Sequence, residues 1–358
     1  GFRTVWLPGT DHAGIATQVM VERQLAKEGT DRHTIGREKF LERVWEWKEE
    51  HGGIIDRQHE ILGASLDWSR YRFTMDEVSS TAVREAFCRL HDEGLIYRAY
   101  RLINWDWGSQ TALSDLEVEP KEIDGKLWHL AYPVKDSDEK LIVATTRPET
   151  MLGDTGVAVH PDDERYKHLI GKHIVLPLTG REIPIVGDSI LVDMEFGSGA
   201  VKVTPAHDFN DFETGKRHDL ELICVIGLDG KICDPAPERF VGLNVKDARK
   251  AVLAELEKEG VLIKEEPHKM AVGHSQRSGV VVEPLPSHQW YVKVGPMAEK
   301  ALDAVRSGQT QIVPEHRTQD YYRWMENIHD WCISRQLWWG HRIPAWYCGA
   351  CEEISVSR

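Results

Sequence analysis

Apolar residues recur at helical spacing in three places along the chain. Between Thr34 and Leu62, the residues Phe40, Leu41, Val44 and Trp45 fall at i, i+1, i+4 and i+5 among many charges, which predicts an amphipathic helix. From Ser80 to Glu93, Val83, Phe87 and Leu90 share one face, and Gly94 is the stop. In "NVKDARKAVLAELEKEG", Asn244 is placed to cap, Ala248, Val252, Leu253 and Leu256 form the apolar stripe, and Gly260 ends the helix. Between Leu127 and Val225 the period shortens. Segments such as "KLIVATT", "TGVAVH", "REIPIV" and "GAVKVT" are short, β-branched and separated by Gly, Pro and Asp, as in an all-β module. Farther on the chain turns aromatic, with Trp324, Trp331, Trp338, Trp339 and Trp346 close together. The predicted order is helical α/β, a β-rich insert, then α/β again.

Two stretches inside the β-rich region carry more polar chemistry than turns need. In "ATTRPETMLGD", the residues Thr145, Thr146, Arg147 and Thr150 put three hydroxyls and a guanidinium just past a strand. This suits a strand-to-helix corner with Pro148 in the first turn, and equally a polar pocket with Arg147 as an anion clamp. In "VKVTPAHDFNDFE", Asp208 is a good N-cap, Asp211 suits a first helical turn, and Phe209 with Phe212 would face the core. Two carboxylates three apart share one side of a helix, which is more than a cap requires. "GSGAVK" lacks the third glycine of a dinucleotide loop and leads into a strand pattern, so a tight turn is expected.

Composition narrows the function. The 358 residues call for two or three domains, and no apolar run is long enough for a membrane span. A net charge of −14 argues against whole-molecule attraction to nucleic acid but leaves room for a local basic groove. Six scattered cysteines fit a reducing compartment, and a cytoplasmic location is expected. Cys348 and Cys351 have metal-ligand spacing but supply only half a zinc site, so no intact metal site is expected within these residues. The chain opens without Met and stops just after this pair, which reads as a fragment of a longer protein.

Taken in order, "PGTDHAGIATQ", "LSDLEVE", "ATTRPETMLGD", "GSGAVKVTPAHDFNDFE" and "WCISRQLWWGHRIPAWYC" resemble a class I aminoacyl-tRNA synthetase of the valyl type over essentially the whole chain. The resemblance implies a partial Rossmann-type catalytic domain (1–123 and 279–358) interrupted by a β-barrel-like α+β editing domain (124–278). Its HIGH-type and KMSKS-type signatures are absent; "HAGI" at 12–15 and "KMAV" at 269–272 are look-alikes in the wrong places. ATP and Mg would belong to the full-length enzyme, and a zinc to residues beyond Arg358. Some relatives carry CxxC pairs flanking the insert. This chain has Asp106 and Ser109, then Ser275 and Ser278, so hydrogen bonding or packing is expected there instead.

The resemblance also implies what the insert does. An apolar synthetic pocket cannot strongly reject an isostere that adds only a hydroxyl, for which the valine enzyme facing threonine is the standing example. A second site must accept threonine, refuse valine and hydrolyse the ester at the 3′ end of tRNA(Val). By resemblance Asp211 takes the α-ammonium group, while Asp208 with Thr145, Thr146 and Thr150 reads the hydroxyl or aims water. Arg147 and Lys202 hold the terminal adenosine or its phosphate, and Phe196 packs on the adenine. His207 orients a neighbour or acts as base. Asp11 and His12 belong to the synthetic half-site. No Ser–His–Asp or Cys–His arrangement accompanies these residues, so direct attack by water is expected, by a monomer. A non-catalytic tRNA-docking piece and an isoleucyl-type editing domain are the rival readings.

Overall fold

Several helices, three of them long enough to matter here, begin where a short acceptor side chain reaches back to the chain. Asp76 Oδ1 accepts from the Ser79 amide at 2.7 Å and opens Glu77–Asp92. Asn244 Oδ1 accepts from the Asp247 amide at 3.0 Å and opens Val245–Lys258. Asp208 Oδ1 accepts from the Asn210 and Asp211 amides at 2.8 and 3.1 Å and opens Phe209–Arg217. Each cap satisfies amides that have no partner inside the helix. Gly94 and Gly260, at φ of 71° and 66°, end the first two. The computed structural model describes residues 2–195, 197–351 and 353–358.

The apolar periods locate the buried faces with two shifts. Ala248, Val252 and Leu256 are fully buried, with Leu253 at their edge. Phe87 is buried, but Val83 is exposed, because the buried face of that helix begins a turn later than its sequence pattern. The helix expected over 34–62 breaks at Gly52-Gly53 into Arg37–His51 and Ile54–Ile61, where two poor helix formers adjoin. Phe40 and Val44 of the first piece are fully buried, and the second piece buries nothing. Phe209 is likewise exposed and Phe212 only half-buried, so neither anchors the core as its position suggested.

The chain divides into two compact units, Gly1–Ala99 with Gln289–Arg358, and Tyr100–His288. It passes between them within the strands Ile96–Asp106 and Glu283–Val292. In the first unit, Val21, Leu25, Phe40, Val44, Phe73 and Trp339 form one core cluster. The short strands Gly9–Thr10 and Arg72–Phe73 pair in parallel within this unit.

The second unit holds an antiparallel sheet in the order Leu262–Ser275, Val118–Pro133, Lys140–Thr145. A four-stranded mixed sheet follows, in the order Ala200–Val203, Gly156–Val159, Glu182–Gly187, His173–Val175. Neither sheet closes on itself among the described residues; Lys140–Thr145 runs beside Ala200–Val203, and a bridge joins Val134 to Ile174 at the other edge. Gly197 and Gly199, at φ of 60° and 76°, make the tight turn before Ala200. Position 124 lies inside the long ribbon, Asp124 facing Lys269, so the compact unit reaches out past it to Tyr100 and His288. Among the described residues no helix is long and apolar enough to cross a membrane.

Candidate functional site

Strand Lys140–Thr145 ends in a turn that its own side chains build. Thr145 Oγ1 accepts from the Arg147 amide at 3.0 Å, and Thr150 Oγ1 donates to the Arg147 carbonyl at 3.0 Å. A short 3-10 helix, Pro148–Gly153, then runs fully buried to Asp154. Thr146 makes no side-chain hydrogen bond among the described residues and stays half-buried, an open hydroxyl beside the turn.

Strand Ala200–Val203 meets this turn through Lys202. Its ammonium donates to Thr150 Oγ1 at 3.0 Å, to Asp154 Oδ1 at 3.1 Å and to Thr204 Oγ1. Thr204 Oγ1 in turn donates to Asp154 Oδ1 at 2.6 Å, and Tyr132 donates to Asp154 Oδ2 at 2.8 Å. Burial pushes the Asp154 pKa up even with Lys202 beside it, a sign of how dry the cluster is. All three ammonium protons of Lys202 are used internally. Lys202 is thus committed to groups of the protein itself.

Arg147 is also turned inward. Its guanidinium donates to Glu283 and to the His207 carbonyl at 3.2 Å, and its Nε lies 3.4 Å from Glu149. Arg249 closes the far side of Glu149 with two bonds of 2.8 Å. Arg147, expected as an anion clamp, is committed to two buried carboxylates, since a buried charge must be paired. His207 Nε2 accepts from the Val225 amide at 2.9 Å, so its Nδ1 carries the proton and donates to the Pro284 carbonyl at 3.3 Å. Burial and the Arg147 guanidinium push the His207 pKa down to about 3. A neutral ring with both nitrogens hydrogen-bonded has no lone pair open to a further proton.

Beyond His207 come the two acids. Asp208 spends Oδ1 on its cap and remains exposed, leaving Oδ2 open. Asp211 is only 7% exposed, and its Oδ2 accepts from the Thr204 amide at 2.8 Å. Its Oδ1 takes no partner among the described residues. Burial, and then the Asp208 carboxylate, push the Asp211 pKa up to about 7. A carboxyl held that way favours any ligand that brings a positive charge. Thr145, Thr146, Arg147, Thr150, Lys202, His207, Asp208 and Asp211 thus sit on two segments joined directly by the Lys202–Thr150 and Arg147–His207 bonds. Phe196 lies outside the described residues. Asp154, Thr204, Glu149, Arg249 and Glu283 went unpredicted; "MLGD" and "VEPLP" gave an acid in an apolar setting as their only signal.

Asp11 and His12 belong to the first unit. Asp11 Oδ1 accepts from the Ala13 amide at 2.6 Å, across a turn in which Ala13 has a positive φ. His12 is held by Thr74, 2.7 Å from its Nδ1, and by Trp339, whose indole donates to the His12 carbonyl at 2.8 Å. Burial lowers the His12 pKa. Trp339 is buried, whereas Trp324, Trp331 and Trp346 are exposed. Cys348 and Cys351 are exposed free thiols at the hairpin Ala345–Tyr347/Ile354–Val356, and no third ligand joins them among the described residues.

In the second unit, Asp106, Ser109, Ser275 and Ser278 form a hydrogen-bonded knuckle. Ser275 Oγ donates to Asp106 Oδ2 at 2.6 Å, and the Ser109 amide donates to Asp106 Oδ1 at 2.8 Å, all three residues being buried. Asp106→Ala would strand both donors, so urea unfolding should show a loss of about 2–4 kcal/mol. A loss below about 0.5 kcal/mol would show that packing alone holds the knuckle.

The family described as tRNA synthetases class I (I, L, M and V) matches residues 1–358. The valine–tRNA ligase of Syntrophotalea carbinolica is 60% identical over 358 residues, which is all of this chain and 40% of that protein. That of Geobacter sulfurreducens is 59% identical over 359 residues, again 40% of its length. That of Legionella pneumophila (strain Paris) is 57% identical over 347 residues, 97% of this chain and 38% of the relative. The chain therefore spans about 40% of the length of these curated relatives.

Proposed function

The chain belongs to the class I tRNA synthetases (I, L, M and V), and within that family we propose that its second unit hydrolyses threonine esters from mischarged tRNA(Val). The observation that carries this reading is Asp211, buried, with one oxygen unpartnered among the described residues and its pKa raised to about 7. Such a group is stabilised by an incoming α-ammonium, which supplies the charge the site lacks. The open Oδ2 of Asp208 and the free hydroxyl of Thr146 are the groups that would pair with a threonine hydroxyl. Valine in the same place would leave them desolvated and unpaired, which is how a polar pocket refuses it.

Lys202, Asp154, Thr150 and Thr204 hold these groups in place without touching substrate. Water is the nucleophile in this reading, and His207 is not its base, because both ring nitrogens are already hydrogen-bonded. Tyr100–His288 acts as the editing unit, with the tRNA 3′ end as partner. Valine activation with ATP and Mg is not assigned to these residues, which carry no HIGH-type or KMSKS-type signature, and "KMAV" lies within a strand ladder.

Purified chain, incubated with Thr-tRNA(Val) and separately with Val-tRNA(Val), should release threonine at least about tenfold faster than valine. ATP–pyrophosphate exchange by the same preparation should stay at background. Equal release of both amino acids, or of neither above the rate in buffer, removes the reading. Preferred release of valine from Val-tRNA(Ile) would favour the isoleucyl-type alternative.

A further inference from the structure

We infer that Glu283, acting through Arg147, is a positioning residue of this site: it fixes the main chain at His207 and thereby the placement of Asp208 and Asp211. The inference rests on the hydrolytic reading for its catalytic consequence, though not for its geometry. Glu283 opens the strand by which the chain leaves the second unit, and only 3% of it is exposed. The one ion-pair partner of its side chain among the described residues is Arg147. Arg147 passes that anchorage to the His207 carbonyl at 3.2 Å. The next residue, Pro284, accepts from His207 Nδ1 at 3.3 Å, while the Val225 amide donates to Nε2 at 2.9 Å. His207 is therefore held at its carbonyl and on both sides of its ring, twice from consecutive residues of one strand.

The residue so held is directly followed by Asp208 and lies four before Asp211. Any drift of the 207 main chain is carried into both acids, and the alignment of reacting groups is sensitive to displacements of about 1 Å. Glu149 already has Arg249 as a bidentate partner, so Arg147 is not needed to neutralise it. That leaves the Glu283–Arg147–His207 line as a separate device. A buried ion pair is weak evidence of stabilisation, since well-packed apolar residues often replace one at no loss. A pair kept only for stability would accordingly tolerate such replacement without change at Asp211.

The test uses the whole chain, as Glu283→Gln and as the apolar double variant Arg147→Met/Glu283→Leu. Carbon-13 NMR follows the titration of the Asp211 carboxyl, nitrogen-15 NMR follows the His207 tautomer, and Thr-tRNA(Val) deacylation gives kcat and KM. In the double variant the Asp211 midpoint should move by more than half a pH unit and the Nδ1-protonated signature of His207 should broaden. In addition kcat/KM should fall at least about tenfold, as expected when the acids that hold and orient the ester are displaced. Glu283→Gln should fall between the double variant and the parent, because an amide oxygen still accepts from Arg147. If the double variant does not fold, Glu283→Gln decides by the same readouts. A folded variant with the parent's Asp211 midpoint, His207 signature and kcat/KM overturns the inference. If the parent itself releases no threonine, the hydrolytic reading fails, while the two NMR readouts still decide whether Glu283 positions the segment.

Discussion

Asp211→Asn is expected to lower threonyl-ester hydrolysis on the order of a hundredfold while leaving the chain folded and more stable at alkaline pH. The loss follows from removing a charged partner of an α-ammonium, a contact worth about 1.5–3 kcal/mol. Asn keeps an oxygen that can accept from the Thr204 amide, the bond now made by Asp211 Oδ2, so that buried donor stays paired. Asp211→Ala would lose that bond as well and mix a folding defect with the catalytic one.

The stability gain follows from the raised pKa. The unfolded carboxyl releases its proton near 3.8, whereas the folded one keeps it to about 7. Between those values the unfolded state binds fewer protons, so stability falls as pH rises through the window and stays low above it. At about 1.4 kcal/mol per pH unit, the parent should lose up to about 4 kcal/mol from this group, and the Asn variant should not. Urea unfolding at pH 4.5 and pH 8 measures the difference. A related sign applies to binding: a cationic ligand needs Asp211 ionised, so KM for the ester should improve as pH rises through about 7. Full hydrolysis by the Asn variant, or unfolding curves with the same pH slope as the parent, would remove Asp211 from the role.

Lys202→Met should be the most damaging single change to the fold of the second unit. It leaves Asp154, fully buried, with only the hydroxyls of Tyr132 and Thr204 for partners. Removing one member of a buried ion pair costs about 3–5 kcal/mol, because the remaining charge has neither water nor counterion. Without Lys202 the Asp154 carboxyl, already raised by burial, rises further. It then holds its proton over a wider range than the unfolded chain does, so the defect should deepen from pH 5 to pH 8. Lys202→Met combined with Asp154→Leu should recover part of the loss by removing the orphaned charge. A drop under about 1 kcal/mol for the single variant would show that the cluster is not a closed ion pair.

Much of the molecule was legible because local rules and tertiary structure agree. Asn244, Asp208 and Gly260 punctuate helices as their side chains or φ angles demand. Thr145 likewise builds its own corner. Where expectation and structure part, a distant neighbour is responsible. Apolar residues continue on both sides of Gly52-Gly53, so the pattern runs on as one helix; only the structure shows that Ile54–Ile61 buries none of its residues. At Asp106, Ser109 and Ser275 the hydrogen bonding expected there is made, and only the fold could bring residues 169 apart in the chain together for it.

The sequence by itself determined the family motifs, the pairing of "ATTRPET" with "VKVTPAHDFNDFE", and the acids at 208 and 211. It could not say which polar groups face a ligand and which face each other. Arg147 and Lys202 look alike from the sequence as free cations, but the fold spends both on buried carboxylates, one of them 136 residues away from Arg147. A charge removed from water must be neutralised by whatever the fold brings beside it. The identity of that neighbour is a property of long-range packing, and it leaves Asp211, Asp208 and Thr146 as the groups with valence to spare.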